Sequence, residues 1–441
     1  MPHHFHIATM GCQMNEYDSD YLSQLLINDN FIPTDNLKIA DLILINTCTV
    51  RAKAEQKAYS LLGRMLSLKK RKPQLILGLM GCIAQQEESN LLRKFKGLDL
   101  VLGTREIDRI QEILERIYAD RKRIVATKIE LKPPPFINSN GYFKGRVKNS
   151  ISIMQGCNNF CSYCVVPYVR GREVSRPPEE ILKEAEHLIS HGIKEITLLG
   201  QNVNSYCWGP RKGCNFPSLL RKMSKLDGLV RIRFTTSHPK DLSRDLSQCF
   251  GELDNLCPHI HLPFQAGSNR ILELMNRGYT REKYMELIRE LREVSPGIAI
   301  TSDVMVGFPG ERNNDFLMTL DLIKKIEFDS LYSFKYSDRK GTLARKMYSK
   351  IDEVEKSSRL KVLQQLQKGI TLRKNKCLEG MEFEILVEGR SKKVGQLTGR
   401  TNTNKVINFT HNNKEISNFV KVKIKRAFVN SLWGELTKLN A

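Results

Sequence analysis

Gln155-Gly156-Cys157-Asn158-Asn159-Phe160-Cys161-Ser162-Tyr163-Cys164 is the stretch on which the reading of the chain turns. Three cysteines at x3 and x2 spacing follow an apolar run, Ile151 to Gln155, in one short loop. Thiolates this close can converge on one metal centre. A structural zinc takes four protein ligands, usually from two separated pairs. A four-iron cubane held by three cysteines keeps one iron open to an outside ligand, and an open position is what a reactive site needs. S-adenosylmethionine is a cofactor that pairs with Fe–S chemistry to make radicals. A zinc loop and a set of buried free thiols are the competing readings, and spacing alone leaves them open.

Beyond this loop, strand and helix signals alternate. Strands are predicted near 150–155, 193–199, 230–236, 259–264, 298–306 and 329–335, with helices near 178–191, 216–226, 243–250, 281–294 and 312–326. Six such units imply right-handed crossovers and a curved parallel sheet. Six is fewer than the eight of a closed barrel, so residues 150–369 are expected to form a partial (β/α)6 barrel, with the cysteine loop on its carboxyl rim. Polar or glycine-rich segments follow the other strands. Gln201 and Asn202 lie in Gly200–Asn204, Ser237 in Thr235–Pro239, Gln265 and Ser268 in Pro263–Ser268, and Ser302-Asp303 after the fifth strand. These can hydrogen-bond a ribose, an amino-acid moiety and an adenine, although any loop on a rim needs polar residues. Gly307–Glu311 lacks the Gly-Lys-Ser/Thr end of a phosphate loop. Arg170, Arg172 and Arg176 either face substrate phosphates or form a solvated lead-in to a helix. His259 and His261 share one strand face and read as a hydrogen-bonded structural pair. Cys207, Cys214, Cys249, Cys257 and Cys377 share no pattern and read as free thiols. Trp208–Gly213 reads as a turn-like insert.

Upstream, in residues 1–131, three strand-like runs each end in a cysteine. Phe5–Met10 leads to Gly11-Cys12, Leu42–Ile45 to Asn46-Thr47-Cys48, and Leu75–Met80 to Gly81-Cys82. The cysteines are 36 and 34 residues apart, the length of one β-α-β unit. Helices are predicted over 18–28, 52–68, 85–95 and 106–118, with a fourth strand over 98–102. The pattern is an open parallel sheet with helices on both faces, whose ligands bind beyond the carboxyl ends of the strands. Cys12, Cys48 and Cys82 therefore fall on one rim and can hold a second cluster; three buried thiols is the alternative. Gly11 and Gly81 would let the backbone approach a bulky inorganic centre. Residues 132–149, with Pro133-Pro134-Pro135, read as a linker.

The end of the chain changes period. Asp352 to Lys376 reads as an amphipathic helix with Leu360, Leu363, Leu366 and Ile370 on one face. In residues 370–441, five short strands are predicted: Phe383–Val387, Val394–Gly399, Val406–Phe409, Phe419–Ile424 and Leu432–Leu436. They suit a small antiparallel β-barrel. This segment carries 14 Lys and Arg against 6 Asp and Glu. Small basic barrels commonly bind oligonucleotides; a capping domain with a solvated basic face is the plainer reading.

At 441 residues the chain exceeds what one core supports. The fold class is α/β: an open parallel-sheet domain, a partial barrel and a small β-barrel. A net charge of +22 favours a polyanionic partner such as nucleic acid over a generally basic, solvated surface. Runs such as Leu42–Ile45 and Leu75–Leu79 are too short to cross a bilayer, so no membrane is expected. No signal peptide is read in Met1–Phe5, so a cytoplasmic protein is expected. Eleven cysteines in such a chain argue for metal or catalysis over disulfides.

Thr9–Glu16, Asn46–Arg51, Gly81-Cys82, Gln155–Arg176, Leu199–Tyr206 and Val394–Asn404 together closely resemble the radical S-adenosylmethionine methylthiotransferases. The resemblance runs almost end to end. It implies two [4Fe–4S] clusters, one on Cys157, Cys161 and Cys164 that binds and cleaves S-adenosylmethionine, and an auxiliary one on Cys12, Cys48 and Cys82 that handles sulfur. It implies a TRAM-like RNA-binding barrel at the C-terminus. It also implies insertion of sulfur at C2 of an isopentenylated adenosine in a tRNA anticodon stem-loop, with methylation, fed by an electron donor such as a flavodoxin-type reductant; the sulfur source stays open. Sister enzymes act on a ribosomal-protein aspartate or on threonylcarbamoyladenosine. A reading of a different class is a non-catalytic zinc-containing RNA-binding protein. The chain departs from the family's usual residues at Val169, Val174, Phe264, Ala266 and Ser337–Gly341, none of them a cysteine.

Overall fold

Six parallel strands form the N-terminal sheet of the computed structural model, which describes residues 3–49, 52–133, 135–137, 142–143, 145–210, 213–411 and 418–439. They are β1 (His4–Thr9), β2 (Ile32–Pro33), β3 (Leu42–Thr47), β4 (Ile76–Gly81), β5 (Leu100–Leu102) and β6 (Ile124–Ala126), in the order β2-β1-β3-β4-β5-β6. Alternate residues of β3 serve opposite faces. Leu42 and Leu44 pack under helices α1 (Gln13–Asn28) and α5 (Ile110–Asp120). Ile43 and Ile45 pack under α2 (Ala52–Arg71), α3 (Cys82–Glu87) and α4 (Ser89–Lys94). The expected doubly wound layering is present. Two edge strands, β2 and β6, had no sequence signal, because two or three residues are too few to show a period. The helix expected over 85–95 is two helices that meet at Glu88, whose φ is +47°. Val50 and Arg51 of the second cysteine motif lie outside the described residues, as do 134, 138–141 and 144 of the expected linker. The end of that linker is not a linker: Phe143 is buried in the central core, and the next strand begins at Lys148.

The central domain opens with β7 (Lys148–Ser152). A two-residue antiparallel pair, β8 (Met154–Gln155) with β9 (Val174–Ser175), then closes the neck of the cysteine loop, which contains the short helix α6 (Val166–Val169). Next come α7 (Pro178–Ser190), β10 (Glu195–Leu199), the hairpin β11 (Cys207–Trp208) and β12 (Cys214–Asn215), α8 (Phe216–Met223), β13 (Arg231–Phe234) and α9 (Arg244–Glu252). Arg211 and Lys212 of that hairpin's turn lie outside the described residues. The second half holds β14 (His259–His261), α10 (Asn269–Leu274), α11 (Arg281–Val294), β15 (Ala299–Val306), α12 (Asn313–Ile326), β16 (Ser330–Lys335) and α13 (Glu353–Lys376). Two three-stranded parallel sheets, β13-β10-β7 and β14-β15-β16, meet at a bridge between Ile232 and Leu256. Six parallel strands thus line a barrel that is open between β7 and β16, as expected. Among the described residues no helix is long and apolar enough to cross a membrane.

A closed five-stranded barrel ends the chain: β17 (Glu382–Arg390), β18 (Gln396–Arg400), β19 (Val406–Thr410), β20 (Phe419–Ala427) and β21 (Leu432–Leu439). One of its seams, β19 with β21, is parallel, so it is not purely antiparallel. It plugs the amino end of the central strands. Arg231 donates to the carbonyls of Arg400 and Glu384 at 2.9 and 3.1 Å. Arg233 donates to those of Asn402 and Thr401 at 2.8 and 2.7 Å. Lys405 pairs with Asp329 and Lys148 with Glu388.

Candidate active site

In a doubly wound sheet, ligands sit where the chain reverses its direction of travel across the strands, beyond their carboxyl ends. Here that point lies between β1 and β3. Cys12 follows β1, Cys48 follows β3, and Cys82 follows the neighbouring β4. Adjacent strands lie about 4.8 Å apart, so three consecutive strand ends span roughly 10 Å. The thiols of Cys12 and Cys48 are hydrogen-bonded, and that bond, more than any other influence, brings Cys12 down to about 6. Cys82 is pushed up by burial, with Arg170 opposing.

A buried amide network lashes these strand ends together. Asn15 Nδ2 donates to Asn46 Oδ1 at 2.9 Å and to the Thr47 carbonyl at 3.1 Å. Asn46 Nδ2 returns a bond to the Asn15 carbonyl at 2.9 Å, and Thr47 Oγ1 reaches the Met80 carbonyl at 2.6 Å. The glycines serve the same closure. A Cβ at Gly81, where φ is +87°, would stand 2.5 Å from both Asn46 Oδ1 and the Thr47 carbonyl oxygen. One at Gly11 would stand 2.9 Å from Cys48 Cβ. The expected close approach is thus of loop to loop.

The second trio is held differently. Its loop is pinned onto the segment after α10: Ser162 N donates to the Met275 carbonyl at 3.0 Å, and Asn276 Nδ2 to the carbonyls of Asn159 and Phe160 at 3.2 and 3.1 Å. Arg277, fully enclosed there, donates to Cys161 Sγ at 3.4 Å, to Tyr163 Oη at 3.3 Å and to the Pro263 carbonyl at 2.8 Å. Burial pushes Cys157 up to about 11. Burial and then the neighbouring Cys161 push Cys164 up to about 12. Cys157 and Cys164, so raised, ionise together only beside a positive centre, and a metal cluster supplies one.

The two trios meet across the domain boundary. Cys82 packs against Val165 and Val169, directly after Cys164. Thr104 Oγ1 donates to the Val169 carbonyl at 2.6 Å, and Arg105 Nε to the Arg170 carbonyl at 3.0 Å. Arg170 is buried against Asp18, and Arg176 is buried against Glu184 at 2.6 Å and the Ser152 carbonyl at 2.9 Å. Neither is a solvated lead-in or a phosphate contact. Arg172 lies over the Phe160 ring. His259 and His261 are hydrogen-bonded to Thr301, as a structural pair would be. The five remaining cysteines are free thiols.

The rim residues divide. Gln201 Oε1 accepts from Gly156 N, at the root of the cysteine loop, while its Nε2 is buried with no partner. Asn202 Nδ2 donates to Asp241 at 2.7 Å, and its Oδ1 has no partner. Ser237 Oγ and Gln155 Oε1 are buried and unpartnered as well. Unsatisfied buried polar atoms from β8 and from the loops after β10 and β13 suit a polar ligand beside the Cys157–Cys164 loop. Gln265 is buried with φ +66°, its backbone N bonded to the Asp303 carbonyl. Ser268 Oγ donates to Asp315 at 2.6 Å inside a buried network, so its hydroxyl proton is already taken. One expectation needs correction. Asp303 is not beyond its strand: β15 continues to Val306, and the carboxylate stands within the barrel, 3.5 Å from His261 Nε2. Sequence reasoning missed Asn15 and Arg277, and it singled out Arg170 for another role. Asn15 has a signal, a side chain three residues beyond Cys12 that caps the helix; Arg277 has none. Among the described residues no three His, Cys, Asp or Glu groups are arranged to hold a single metal ion; in a cubane each thiolate binds its own iron.

Residues 151–323 match the radical SAM superfamily, residues 4–103 the uncharacterized protein family UPF0004, and residues 376–437 the TRAM domain. A tRNA-2-methylthio-N(6)-dimethylallyladenosine synthase of Syntrophus aciditrophicus is 50% identical over 98% of this chain and 94% of its own length. Enzymes of the same name from Syntrophobacter fumaroxidans and Geobacter metallireducens are 48% and 46% identical over 99% and 98% of this chain, and 96% and 98% of their own lengths. Among solved structures, the radical S-adenosylmethionine methyltransferase TsrM from Kitasatospora setae, with cobalamin and a [4Fe–4S] cluster bound, superposes with a TM-score of 0.55 at 16% identity. That match covers 76% of this chain and 72% of the other, and at that identity it speaks for the fold alone.

Proposed function

The chain belongs to the family of the tRNA-2-methylthio-N(6)-dimethylallyladenosine synthases, and from that premise we propose how its residues share the work. The enzyme inserts sulfur at C2 of N(6)-dimethylallyladenosine next to the anticodon of tRNA and methylates that sulfur. Its cofactors are S-adenosylmethionine and two [4Fe–4S] clusters. S-adenosylmethionine, bound to one cluster, supplies the radical chemistry and, from a further molecule, the methyl group.

We assign Cys157, Cys161 and Cys164 to the cluster that takes S-adenosylmethionine, and Cys12, Cys48 and Cys82 to the auxiliary one. The observation that carries the assignment is the packing of Cys82 on Val165 and Val169, because it makes the two thiol groups neighbours across the domain boundary. Arg277 holds Cys161 and Tyr163 in place while keeping a cation beside the thiols. Gln201 fixes the root of the loop through Gly156 and offers its free amide group to the ligand. Asn202 and Ser237 offer an acceptor and a hydroxyl to its amino-acid and ribose parts; Gln265 and Asp303 line the barrel below. Ser268 has no proton to offer, being bound to Asp315. The tRNA rests on the exposed lysines of β20, Lys421, Lys423 and Lys425. A flavodoxin-type donor supplies electrons, in the cytoplasm.

Nucleoside mass spectrometry of tRNA from cells lacking the protein tests the reading. The methylthio group should vanish, N(6)-dimethylallyladenosine should accumulate, and threonylcarbamoyladenosine derivatives should be unchanged. Expression of the parent should restore the modification, and Cys161→Ala should not. An unaltered methylthio content in the deleted cells overturns it.

A further inference from the structure

Arg170 stands six residues after Cys164, yet its side chain belongs to the other trio. It is 3% exposed. Its terminal nitrogens meet the Asp18 carboxylate at 2.5 and 3.4 Å. Val169, its neighbour in the chain, packs on Cys82, and the Arg170 charge acts on both Cys82 and Cys12. The Arg170 carbonyl is anchored from the N-terminal domain by Arg105, and that of Val169 before it by Thr104. Arg105 brings a second guanidinium whose charge acts on the same carboxylate. Arg170 and Arg105 thus both act on one carboxylate, while of the two it is Arg170 whose charge reaches Cys12 and Cys82.

Thiolates around an iron–sulfur cube make a net anion, and one-electron reduction makes it more negative. A fixed, buried cation beside its thiolates stabilises the reduced form more than the oxidised one. We propose that Arg170 sets the reduction potential of the auxiliary cluster, and that it does so from the polypeptide loop that carries the other cluster. Asp18 tempers the effect by neutralising part of the charge. The proposal rests on the assignment of Cys12, Cys48 and Cys82 as cluster ligands.

The test is an anaerobic redox titration, followed by electron paramagnetic resonance, of full-length protein in which Cys157, Cys161 and Cys164 are alanine, so that only the auxiliary cluster is seen. Arg170→Gln should move the midpoint to more negative potential, Asp18→Asn to more positive potential, and Arg170→Lys should stay near the parent. A purely structural role would not give shifts of opposite sign. Midpoints that do not move, or that move the same way in Arg170→Gln and Asp18→Asn, overturn the proposal. If Arg170→Gln loads no iron, Asp18→Asn decides alone: a positive shift supports the proposal and no shift overturns it. A triple-alanine parent without any cluster removes the ligand assignment, and this proposal with it.

Discussion

Gly156→Ala should cost the enzyme its loop without costing it its fold. Gly156 has φ +85°, and a Cβ there would stand 2.0 Å from the Arg172 carbonyl oxygen, 2.4 Å from that carbonyl carbon and 2.6 Å from the Gly171 oxygen. All three are backbone atoms, so no side chain can swing aside. The left-handed conformation alone costs an alanine about 1–2 kcal/mol. Displacing residues 171–172 breaks the 3.1 Å bond from Cys157 N to the Gly171 carbonyl, worth about 0.5–1.5 kcal/mol. The two together come to about 1.5–3.5 kcal/mol, or roughly a 10- to 300-fold loss of the closed loop, at 1.4 kcal/mol per factor of ten. The damage is local, because the buried core under the loop is untouched. The assay is iron and sulfide content with 5′-deoxyadenosine production, in a Cys12, Cys48, Cys82→Ala background that isolates the Cys157–Cys164 cluster, beside a thermal melt as a check on the fold. A variant that melts as the parent does but holds little iron and forms little product is expected. Parental iron and parental turnover in Gly156→Ala would refute the reasoning.

Arg233→Met strands the carboxylate of Glu195, now 2.9 Å from Arg233 Nε with both side chains under 10% exposed, and should cost about 3–5 kcal/mol. The sign to look for is faster proteolytic release of the C-terminal barrel, partly cured by adding Glu195→Gln. His259 gives a pH dependence: burial foremost, then Arg233, brings it from 6.5 down to about 3. It is neutral in the fold, while the unfolded chain takes up a proton below about pH 6.5, so its stabilising contribution is complete above that pH and fades as pH falls towards 3. His259→Gln should flatten the acid limb of the denaturation midpoint between those pH values; an unchanged limb would count against this. Binding of tRNA should weaken steeply with salt, and Lys421, Lys423 and Lys425→Ala should flatten the log–log slope by about 0.9 for each phosphate no longer neutralised by a lysine. A slope that does not change would place the RNA elsewhere.

The parts legible in the sequence were those set by local pattern. The runs ending at Cys12, Cys48 and Cys82 are long enough to show a strand, and their spacing to show one rim. β2, β6 and α10 are too short to show a period, and Phe143 sits in a proline-rich stretch that looks like tether. Side-chain destinations are a different matter. Nothing in Val169-Arg170-Gly171-Arg172 says that Arg170 turns back to Asp18, because its partner lies 152 residues away. Asp303 is the opposite case: the strand expected over 298–306 already contains it, and β15 does run through Val306, so its place inside the strand was legible. The Thr401–Asn404 stretch carries family likeness in a barrel expected to bind RNA. Its carbonyls instead receive Arg233, an allocation that depends on tertiary contact alone.

That docking decides how the substrate must lie. The C-terminal barrel occupies the amino end of the central strands, while both thiol trios sit at carboxyl ends. β15 alone is eight residues long, about 26 Å at 3.3 Å per residue. An RNA held on the barrel is therefore offset from the reacting atoms by the depth of the sheet, and only a ligand long enough to turn that edge can engage both. A loose tether would blur the offset and lower the effective concentration of the target base at the rim. Buried arginines that grip backbone carbonyls keep it fixed. Arg231 and Arg233 are accordingly best understood as fixing a distance, which is why polar groups are retained at a junction where apolar packing would have held the two domains as firmly.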